Sequence, residues 1–547
     1  MREKCNVFLL CIMLFFTAIA ANATQVWDGT SAKWTKGSGT EKDPYLIESP
    51  NQLAFLSEMV SAGISDYSGK YFKQTQDFDM KSLVLEPIGI SAAFPFKGNY
   101  NGNNKSISNL QISGNNSNQH IALFGYVSGS TIENVIVKGS FSCTMSSKNY
   151  TAGILAYGTG VKLSNCKNMA NIAMIGTNDN IKNTYVAGII AYASDICTLT
   201  NCFNAGSVNV SRSESSRSML YSFSGGIVGC CDGTCTLIKC SNIGAVNSFS
   251  SEFSNFSVSG GIVGRTMKGG KCTLTYCSNA GTISSSSLGD NDNPTSISGG
   301  LLGVNSCTCE LTNSFNRGSV SGTIRSTALS TSYACSGGMV GYCGNNISIK
   351  NCYAHCEIRS IAKQAYAYGI AMAATIKHSY FAGTLTGTSQ YGILSSGEVT
   401  NCYFNSDCGA STSSYYGTAK TTAQLKSASM PILLNDSETG TTWVMDTNNS
   451  NDGYPIFGWQ AAPTYKITAT CNESHGSVSG GGNYTKGTVV TLAATPKEGY
   501  IFSGWGDGDK TNPRSVTVGT SDVTYTALFV KMRYVITVNQ DCSVNVQ

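Results

Sequence analysis

The chain has 547 residues, only 12% of them charged, and a formal net charge of +4. Globular domains carry about 25% charged residues, whereas this chain is rich in Ser, Thr, Asn and glycine, with 59 glycines. Because the small basic excess is not clustered, the composition argues against nucleic acid as a partner.

Residues 1–23 have the pattern of a signal peptide. Arg2 and Lys4 precede an apolar run over 7–20, and Ala21-Asn22-Ala23 fits a cleavage site. The run is short for a bilayer span, and no later segment is apolar enough, so we expect no transmembrane segment in the mature chain. A lipoprotein would need a cysteine preceded by small residues, which the apolar run lacks. We therefore expect a secreted or cell-surface protein.

Residues 24–97 are predicted to form an N-terminal cap and the first coils of a repeat structure. Ser49 and Pro50 are typical of a helix start, apolar residues follow at helical spacing, and Gly63 is typical of a helix end. A stack of β-coils with an open end exposes unpaired strand edges, so a terminal cap is needed. We expect this helix to be that cap.

Residues 98–410 contain a repeat. The sequence Ser-Gly-Gly-Ile-Val-Gly at 224–229 recurs in related form at 259–264, 298–303 and 336–341. A second motif follows each copy, as in the Asn-Cys-Phe-Asn-Ala-Gly-Ser-Val sequence that begins at Asn201. Short β-branched runs with Gly and Asn turns at this period predict one coil per repeat, with coils stacked about 4.8 Å apart. The predicted fold is all-β, a right-handed parallel β-solenoid (β-helix) with a small C-terminal β-module.

The cysteines follow the same repeat. Cys202, Cys240 and Cys277 share one repeat position, and Ser314 occupies it in another coil. Export would permit disulfides, but the serine argues against obligatory pairing. We expect these cysteines to stack inside the solenoid as small hydrophobic residues.

Three local patterns allow a second interpretation. They are a zinc site at Cys230, Cys231 and Cys235, an acid pair at Asp77 and Asp79, and a calcium loop over 446–452. The cysteines lack a repeated CxxC spacing, and the loop lacks the spacing and closing Glu of a calcium site. We favour structural roles for all three and predict no metal site and no cofactor.

The alternation of Gly-hydrophobic-hydrophobic-Gly turns with Asn-Cys segments resembles the GLUG-motif repeat region of bacterial surface proteins. The resemblance covers roughly residues 24–460. GLUG regions also lie beside the peptidase domain of certain immunoglobulin-cleaving metalloproteases, but this chain has no HExxH motif. The resemblance therefore implies architecture and location more than activity.

The repeats are lengthened at one point of the coil, over 209–223, 247–258, 284–297 and 321–335. Insertions at one point of a repeat lie on one face of a solenoid. These segments are either variable solvated loops or a loop face that binds glycan or protein. The candidate binding residues are Tyr221, Phe223, Phe249, Phe253, Phe256 and Tyr333.

Residues 411–460 are predicted to close the solenoid with a short helix over 423–434 and several aromatic residues. The alternating pattern over 465–531 resembles the divergent internalin-type B repeat, whose Gly-Tyr-x-Phe-x-Gly-Trp segment is present at 499–505. Residues 532–547 restart the pattern, as the beginning of an incomplete second module.

Together these features predict an exported bacterial cell-surface protein whose repeats form a scaffold for adhesion or binding. The expected partner is a glycan or a host or matrix protein. The sequence lacks GxSxG, P-loop and dinucleotide motifs, so we expect no catalysis. Two alternatives stay open: a polysaccharide-acting β-helix enzyme (lyase or hydrolase), and the non-catalytic part of a larger surface enzyme.

Overall fold

A computed structural model describes the following residues. They are 24–112, 120–145, 149–176, 183–212, 221–250, 256–288, 294–325, 332–344, 346–411, 416–436, 442–461, 463–533, 536–538 and 544–546. The predicted signal peptide, residues 1–23, lies outside this set, as does the candidate residue Phe253. No helix in these ranges combines the length and the apolar character needed to cross a membrane.

The elements are numbered in chain order. The helices are α1 (Pro50–Ser61), α2 (Thr422–Leu425) and α3 (Ser429–Asn435). The strands before residue 213 are β1 (Gln25–Val26), β2 (Tyr45–Ile47), β3 (Tyr71–Gln74), β4 (Phe78–Asp79), β5 (Val84–Leu85), β6 (Asn99–Asn101), β7 (Ser106–Ser108), β8 (Gln111–Ile112), β9 (His120–Ile121), β10 (Phe124–Ser128), β11 (Thr131–Glu133), β12 (Ile136–Met145), β13 (Asn149–Ala152), β14 (Leu155–Thr159), β15 (Lys162–Ser164), β16 (Lys167–Gly176), β17 (Asn183–Ala187), β18 (Ile190–Thr200), β19 (Phe203–Asn204) and β20 (Val208–Arg212).

The strands from residue 221 to residue 444 continue the same series. They are β21 (Tyr221–Gly225), β22 (Val228–Ile238), β23 (Ser241–Asn242), β24 (Val246–Ser250), β25 (Phe256–Gly260), β26 (Val263–Thr266), β27 (Lys271–Thr275), β28 (Ser278–Asn279), β29 (Ile283–Ser287), β30 (Thr295–Gly299), β31 (Leu302–Asn305), β32 (Thr308–Asn316), β33 (Val320–Ile324), β34 (Tyr333–Gly337), β35 (Val340–Cys343), β36 (Ile347–Ala354), β37 (Glu357–Ile361), β38 (Gln364–Tyr368), β39 (Ala373–Lys377), β40 (Tyr380–Phe381), β41 (Thr384–Thr386), β42 (Ser389–Tyr391), β43 (Ser396–Thr400), β44 (Tyr403–Asn405), β45 (Thr418–Lys420) and β46 (Trp443–Val444).

The C-terminal strands complete the series. They are β47 (Ile456–Phe457), β48 (Thr464–Cys471), β49 (Gly476–Ser479), β50 (Gly482–Thr485), β51 (Val489–Pro496), β52 (Tyr500–Trp505), β53 (Arg514–Thr517), β54 (Val523–Lys531), β55 (Ile536–Val538) and β56 (Val544–Val546).

Each repeat forms one coil whose strands pair in parallel with those of the next coil. In the coil that starts at Tyr221, β21 leads through the Gly-Gly turn into β22, and β23 and β24 complete the circuit. The next coil repeats this path, with β21 paired to β25, β22 to β26 and β27, and β24 to β29. Among the described residues, β9, β13, β17, β21, β25, β30, β34, β38 and β42 form one nine-stranded sheet along the solenoid. The predicted parallel β-solenoid is confirmed.

The Gly-Gly motif is required by close backbone approach. A Cβ placed on Gly225 would lie 1.9 Å from the carbonyl oxygen of Val228 in its own coil. A Cβ on Gly226 would lie 2.1 Å from the carbonyl oxygen of Gly261 in the next coil and 2.5 Å from Cγ of Asn242. No side chain fits at either position, so the motif recurs wherever the coil makes this turn.

The Asn-Cys motif marks a corner of the coil. The residue before the cysteine position has a left-handed backbone conformation, with φ of 53° at Asn201, 54° at Lys239, 56° at Tyr276 and 49° at Asn313. Asn tolerates this conformation better than other non-glycine residues because its short side chain hydrogen-bonds locally. The corner turns the next side chain inward, which explains why a small residue follows.

The second asparagine of the motif forms a buried ladder. The ladder runs through Asn168, Asn204, Asn242, Asn279 and Asn316, and in each of the first four the Nδ2 donates to the Oδ1 of the next member at 2.7 Å. Each Nδ2 also donates to a carbonyl two residues further along its own coil, at 2.8 to 2.9 Å. The ladder satisfies amides that would be costly to bury unpaired.

The predicted cysteine stack is confirmed. Cys202, Cys240 and Cys277 follow each other on in-register coils, and all three are fully buried. Ser314 continues the stack, where its hydroxyl donates to the carbonyl of Thr312 and accepts from the amide of Cys277. The thiols in this stack are free.

The N-terminal helix α1 packs on the solenoid core. Its residues Leu53, Leu56 and Val60 are buried in the same apolar cluster as the coils. Ser49 has the extended backbone of an N-cap, but within the described residues its side chain makes no capping hydrogen bond. A helix therefore lies where sequence analysis placed the cap.

The helix predicted over 423–434 is instead two short helices, α2 and α3. Thr421 caps α2 through a reciprocal pair of hydrogen bonds with Gln424. Pro431 lies in the first turn of α3, because proline has no amide hydrogen and fits only at a helix start. Because of this proline, the segment 423–434 cannot form one continuous helix.

The chain divides into two compact units after Met445, within the segment predicted as the C-terminal cap, whose boundaries stay a prediction. In the second unit, β50, β48, β54 and β52 form one sheet, and β49, β51 and β53 form another. A register shift between Phe502 and Gly504 accompanies the burial of Trp505, whose Nε1 donates to Thr511 at 2.9 Å. The strands β55 and β56 pair antiparallel.

Candidate functional site

Two rows of aromatic rings run along one outer face of the solenoid. The first row, on the nine-stranded sheet, is His120, Tyr150, Tyr185 and Phe223, with ring centroids 5.2 to 5.7 Å apart. The second row, on the adjoining strands β10, β14 and β18, is Tyr126, Tyr157 and Tyr192, with centroids 4.8 to 5.0 Å apart. The rows contact each other edge to face, as between Tyr150 and Tyr192 at 5.2 Å.

Both rows lose their rings in the following coils. The first row continues as Val258, Ile297 and Cys335, and the second as Cys230, Arg265 and Val304 before Tyr342 restores a ring. The smaller side chains leave a cavity of ≈ 520 Å³. We call it the aromatic groove; it is lined by Tyr221, Phe223, Phe256, Val258, Arg265, Thr295, Ile297, Val304, Tyr333 and Tyr342.

The floor of the aromatic groove is apolar and its walls are rings. Phe223, Val258 and Ile297 are almost fully buried and form the floor. On one wall Tyr221 and Phe256 are half-buried and stack with centroids 4.9 Å apart. The concave surface therefore offers flat apolar faces to a ligand.

Arg265 is the cation of the aromatic groove. Its guanidinium carbon lies 4.7 Å from the ring centroid of Phe223, a cation–π distance. Its Nε is buried and has no hydrogen-bond partner among the described residues. On the neighbouring coil the carboxylate of Asp232 accepts a hydrogen bond from the Tyr192 hydroxyl at 2.6 Å.

Tyr333 lies on the same wall as Tyr221 and Phe256, two coils beyond Phe256. Burial raises the pKa of Tyr333 far above the ordinary tyrosine value, and the nearby Cys335 thiol adds to the effect. The hydroxyl therefore stays protonated at any physiological pH. It contacts the Sδ of Met372 at 3.7 Å.

Four of the six candidate binding residues line the aromatic groove: Tyr221, Phe223, Phe256 and Tyr333. Phe249 does not; it lies on β24 between Ser211 and Ser286, on the larger sheet. Phe253 lies outside the described residues.

The expectation that these aromatic residues belong to loops is wrong for the four in the groove. Each lies on a strand, Tyr221 and Phe223 on β21, Phe256 on β25 and Tyr333 on β34. The physical reason is the alternation with small residues: Ser222 and Ser224 point inward and are buried. Burial of alternate residues fixes the outward direction of the rings.

Arg265 and Tyr342 were not among the binding residues predicted from the sequence. A signal for both exists in the repeats. The residue directly after the Gly-hydrophobic-hydrophobic-Gly motif is Cys230, Arg265, Val304 and Tyr342 in four successive coils. A position that varies within a nearly constant repeat is free of a core role and faces outward.

The zinc interpretation of Cys230, Cys231 and Cys235 is not supported by their placement. Cys230 belongs to the outer aromatic cluster, whereas Cys231 and Cys235 lie in the solenoid core. Consecutive strand residues point to opposite faces, so the three thiols cannot converge on one ion. Within the described residues no group of three metal-ligating side chains is close enough to hold a metal.

The two acidic patterns have structural partners. Asp77 accepts hydrogen bonds from the amide and hydroxyl of Ser106 in the next coil, and Asp79 accepts from Nδ2 of Asn109. In the loop over 446–452, both carboxylate oxygens of Asp446 accept from backbone amides of the same loop. These carboxylates stabilise the backbone, as the preferred interpretation expected.

A second cavity of ≈ 430 Å³ lies in the N-terminal coils. Glu41, Lys73 and Glu133 are among its lining residues, and Oε1 of Glu133 accepts from Nδ2 of Asn101 at 2.6 Å. Its lining mixes these charged groups with Tyr71, Phe72 and Tyr100, whereas most residues that line the aromatic groove are apolar or aromatic. We therefore take the aromatic groove as the candidate site.

Comparisons with known proteins bear mainly on the C-terminal module. Residues 465–533 match the family described as "Divergent InlB B-repeat domain", which confirms that part of the resemblance. The resemblance of the remaining repeats to GLUG-motif proteins stays a prediction. No curated protein is significantly similar to the chain in sequence.

One solved structure is similar over much of the chain. It is titled as that of "a putative immunoglobulin A1 protease from Bacteroides ovatus". The two chains are 17% identical, with 78% of this chain and 95% of the other covered and a TM-score of 0.33. At that TM-score the likeness carries no argument about activity.

Proposed function

We propose that this chain is a non-catalytic binding scaffold of the bacterial surface whose aromatic groove binds a glycan. The observation that carries the proposal is the groove itself, which has half-buried rings at its walls, an apolar floor and one cation. The spacing of the coils fixes the distances between these groups. Concave apolar sites with a few polar groups are the usual form of ligand sites.

A glycan suits this surface better than a folded protein partner. Sugar rings present flat C–H faces that stack on tyrosine and phenylalanine, and their hydroxyls need polar partners at the rim. Beyond the groove and past the buried Tyr192, the half-buried rings of Tyr157 and Tyr126 continue the aromatic face along the coils. A row of rings about 4.8 Å apart supports several weak contacts on one linear polymer.

The lining of the aromatic groove supports binding without cleavage. Its lining residues include no Asp, Glu or His. Glycoside hydrolysis uses two carboxyl groups about 5–10 Å apart across the scissile bond. The described lining of the groove therefore lacks the carboxyl pair that glycoside hydrolysis uses.

The surface location rests on two supports. The chain carries a divergent InlB B-repeat domain at 465–533, a module found on bacterial surface proteins. The predicted signal peptide, if cleaved as expected, would export the chain.

The test is a binding panel of plant, microbial and host polysaccharides with the purified full chain. At least one glycan should be retained, and Phe256→Ala should weaken that binding by about threefold to tenfold, the value of one lost ring contact. Phe249→Ala removes the same ring outside the groove and should bind as wild type does. Equal loss in both variants would contradict the assignment of the site.

The same samples test the enzymatic alternative. After incubation, each polysaccharide is assayed for new reducing ends and for unsaturated products. The proposal predicts none. Cleavage of any polysaccharide by the wild-type chain would replace the binding function with the polysaccharide-acting alternative.

A further inference from the structure

One wall of the aromatic groove is a ring ladder with one member missing. Tyr221, Phe256, Thr295 and Tyr333 occupy the same register position on four successive coils. The first two stack with centroids 4.9 Å apart. Thr295 has no ring, and Tyr333 resumes the ladder. We call the space beside Thr295, between the rings of Phe256 and Tyr333, the ring gap.

The ring gap has the thickness of one ring. Coils lie about 4.8 Å apart, so Phe256 and Tyr333 start roughly 10 Å from each other along the solenoid. A ring placed midway would lie about 5 Å from each neighbour, which is the spacing of stacked rings elsewhere on this face. The ladder is thus completed by one six-membered ring from a ligand.

The aromatic groove that contains the ring gap includes one positive charge in its lining, that of Arg265. Arg265 and Thr295 both line the aromatic groove, on the coils next to each other. Among the described residues Arg265 has no carboxylate within ion-pair distance, and its buried Nε has no hydrogen-bond partner. A guanidinium held against a ring in an apolar surface favours a planar carboxylate, which it can bind through two parallel hydrogen bonds.

We propose that the ring gap binds one acidic sugar unit, a six-membered ring that carries a carboxylate, such as a uronic or sialic acid. The sugar ring stacks between Phe256 and Tyr333, and its carboxylate pairs with Arg265. This inference rests on the proposed glycan-binding function and adds the class of sugar that the site selects.

Three substitutions separate the contribution of the ring gap from that of the charge. Thr295→Tyr supplies the missing ring from the protein itself, with a residue that the same register position already holds in two other coils. It should fill the ring gap and abolish binding without loss of folding. Thr295→Ser leaves the gap open and should bind as wild type does. Arg265→Gln keeps a polar side chain but removes the charge.

The experiment measures the dissociation constants of matched ligand pairs with the full chain. The pairs are oligogalacturonate with its carboxyl-reduced form, and sialyllactose with lactose. An acidic member should bind about tenfold to a hundredfold more tightly than its neutral partner, the value of a charged hydrogen bond. Arg265→Gln should bring the acidic ligand to the affinity of the neutral one.

Equal affinity for acidic and neutral partners, or wild-type binding by Thr295→Tyr, would overturn the acidic-sugar inference while the groove still binds glycans. Absence of binding to every glycan of the earlier panel would instead remove the proposed function itself. Tight binding of a peptide that ends in an aromatic residue and a free carboxylate, without any glycan binding, would also overturn the inference. A melting curve for each variant confirms that it is folded.

Discussion

Asn204 and Asn242 lie one coil apart, and the Nδ2 of Asn204 donates to the Oδ1 of Asn242 at 2.7 Å with both side chains buried. The same relation joins Asn242 to Asn279. Water does not compete for a hydrogen bond inside the solenoid. Removing one partner therefore leaves the other amide buried without a hydrogen bond, which lowers the free energy of unfolding. The ladder fixes the register of neighbouring coils as well as stabilising them.

Asn242→Ala should therefore lower the free energy of unfolding by about 2–4 kcal/mol, because two neighbouring amides lose a partner and a small cavity forms. Urea denaturation followed by circular dichroism measures the change. The matched control is Asn247→Ala, since Asn247 makes a similar inter-coil bond to Asn209 at 2.8 Å in a partly exposed position. The control should cost less than about 0.5 kcal/mol. An equal loss of stability in both variants would contradict the claim that the buried ladder contributes more than an exposed inter-coil hydrogen bond.

Gly226→Ala should prevent normal coil stacking. The added Cβ would lie 2.1 Å from the carbonyl oxygen of Gly261, and backbone on both coils would have to move. We expect the free energy of unfolding to fall by several kcal/mol, as it does when a core is overpacked, or the protein to fail to fold. Gly344→Ala is the control, because its Cβ would meet the nearest atom at 3.1 Å on the surface. Soluble yield and melting temperature compare the two; a Gly226→Ala protein as stable as its control would contradict the close approach.

Lys239→Asn should stabilise the protein. Lys239 is exposed and holds φ of 54° at a corner where other coils use Asn. Asn adopts this conformation at lower cost, and we expect a gain of about 0.5–1 kcal/mol. Lys268→Asn makes the same chemical change at an exposed turn with ordinary φ and should give no gain. A rise in melting temperature for both variants, or for neither, would refute the conformational explanation.

The buried thiols should resist labelling in the folded protein. Burial raises the pKa of Cys352 to about 12 and raises that of Cys277 well above its usual range. Peptide mapping after treatment with iodoacetamide at pH 8 should find them unmodified until the chain is unfolded. Cys471, half-buried in the second unit, is the internal reference and should react first. Rapid labelling of Cys277 in the native protein would show that the solenoid interior is open.

Cys240→Ser should be tolerated, at a cost of about 1 kcal/mol or less. Ser314 already occupies this position in another coil, where its hydroxyl finds a carbonyl acceptor within its own coil at 2.7 Å. The same geometry is available at 240. Chemical denaturation of the variant measures the cost, and a loss as large as that of Asn242→Ala would mean that the thiol stack contributes more than packing.

The sequence was sufficient for the fold because its signals are steric and local. Gly226 recurs because no side chain fits beside Gly261, and Asn201 recurs because the corner needs a positive φ. Such requirements repeat in every coil and can be seen without knowing the contacts. The helix break at Pro431 was also visible in principle, since proline restricts a helix to start near it.

The site was harder to predict because it depends on which outward positions face each other. Tyr221, Phe256 and Tyr333 were predicted as aromatic residues within the lengthened segments, but their placement on strands follows from the burial of the residues that alternate with them. Arg265 faces Phe223 from a strand of the next coil, a relation that no spacing in the chain encodes. The aromatic groove arises where two rows lose their rings in the same coils, and this coincidence requires the register of both sheets.

Hydroxyl-radical footprinting of the full chain with its tightest-binding glycan tests the central claim most directly. Oxidation of Tyr221, Phe256, Tyr333 and Tyr342 should fall when the glycan is bound, because the ligand covers the rings that line the aromatic groove. Phe249, on the other sheet, should be oxidised equally with and without the glycan. Protection of Phe249 with unchanged oxidation of the groove rings would contradict the claim that this groove is the binding site.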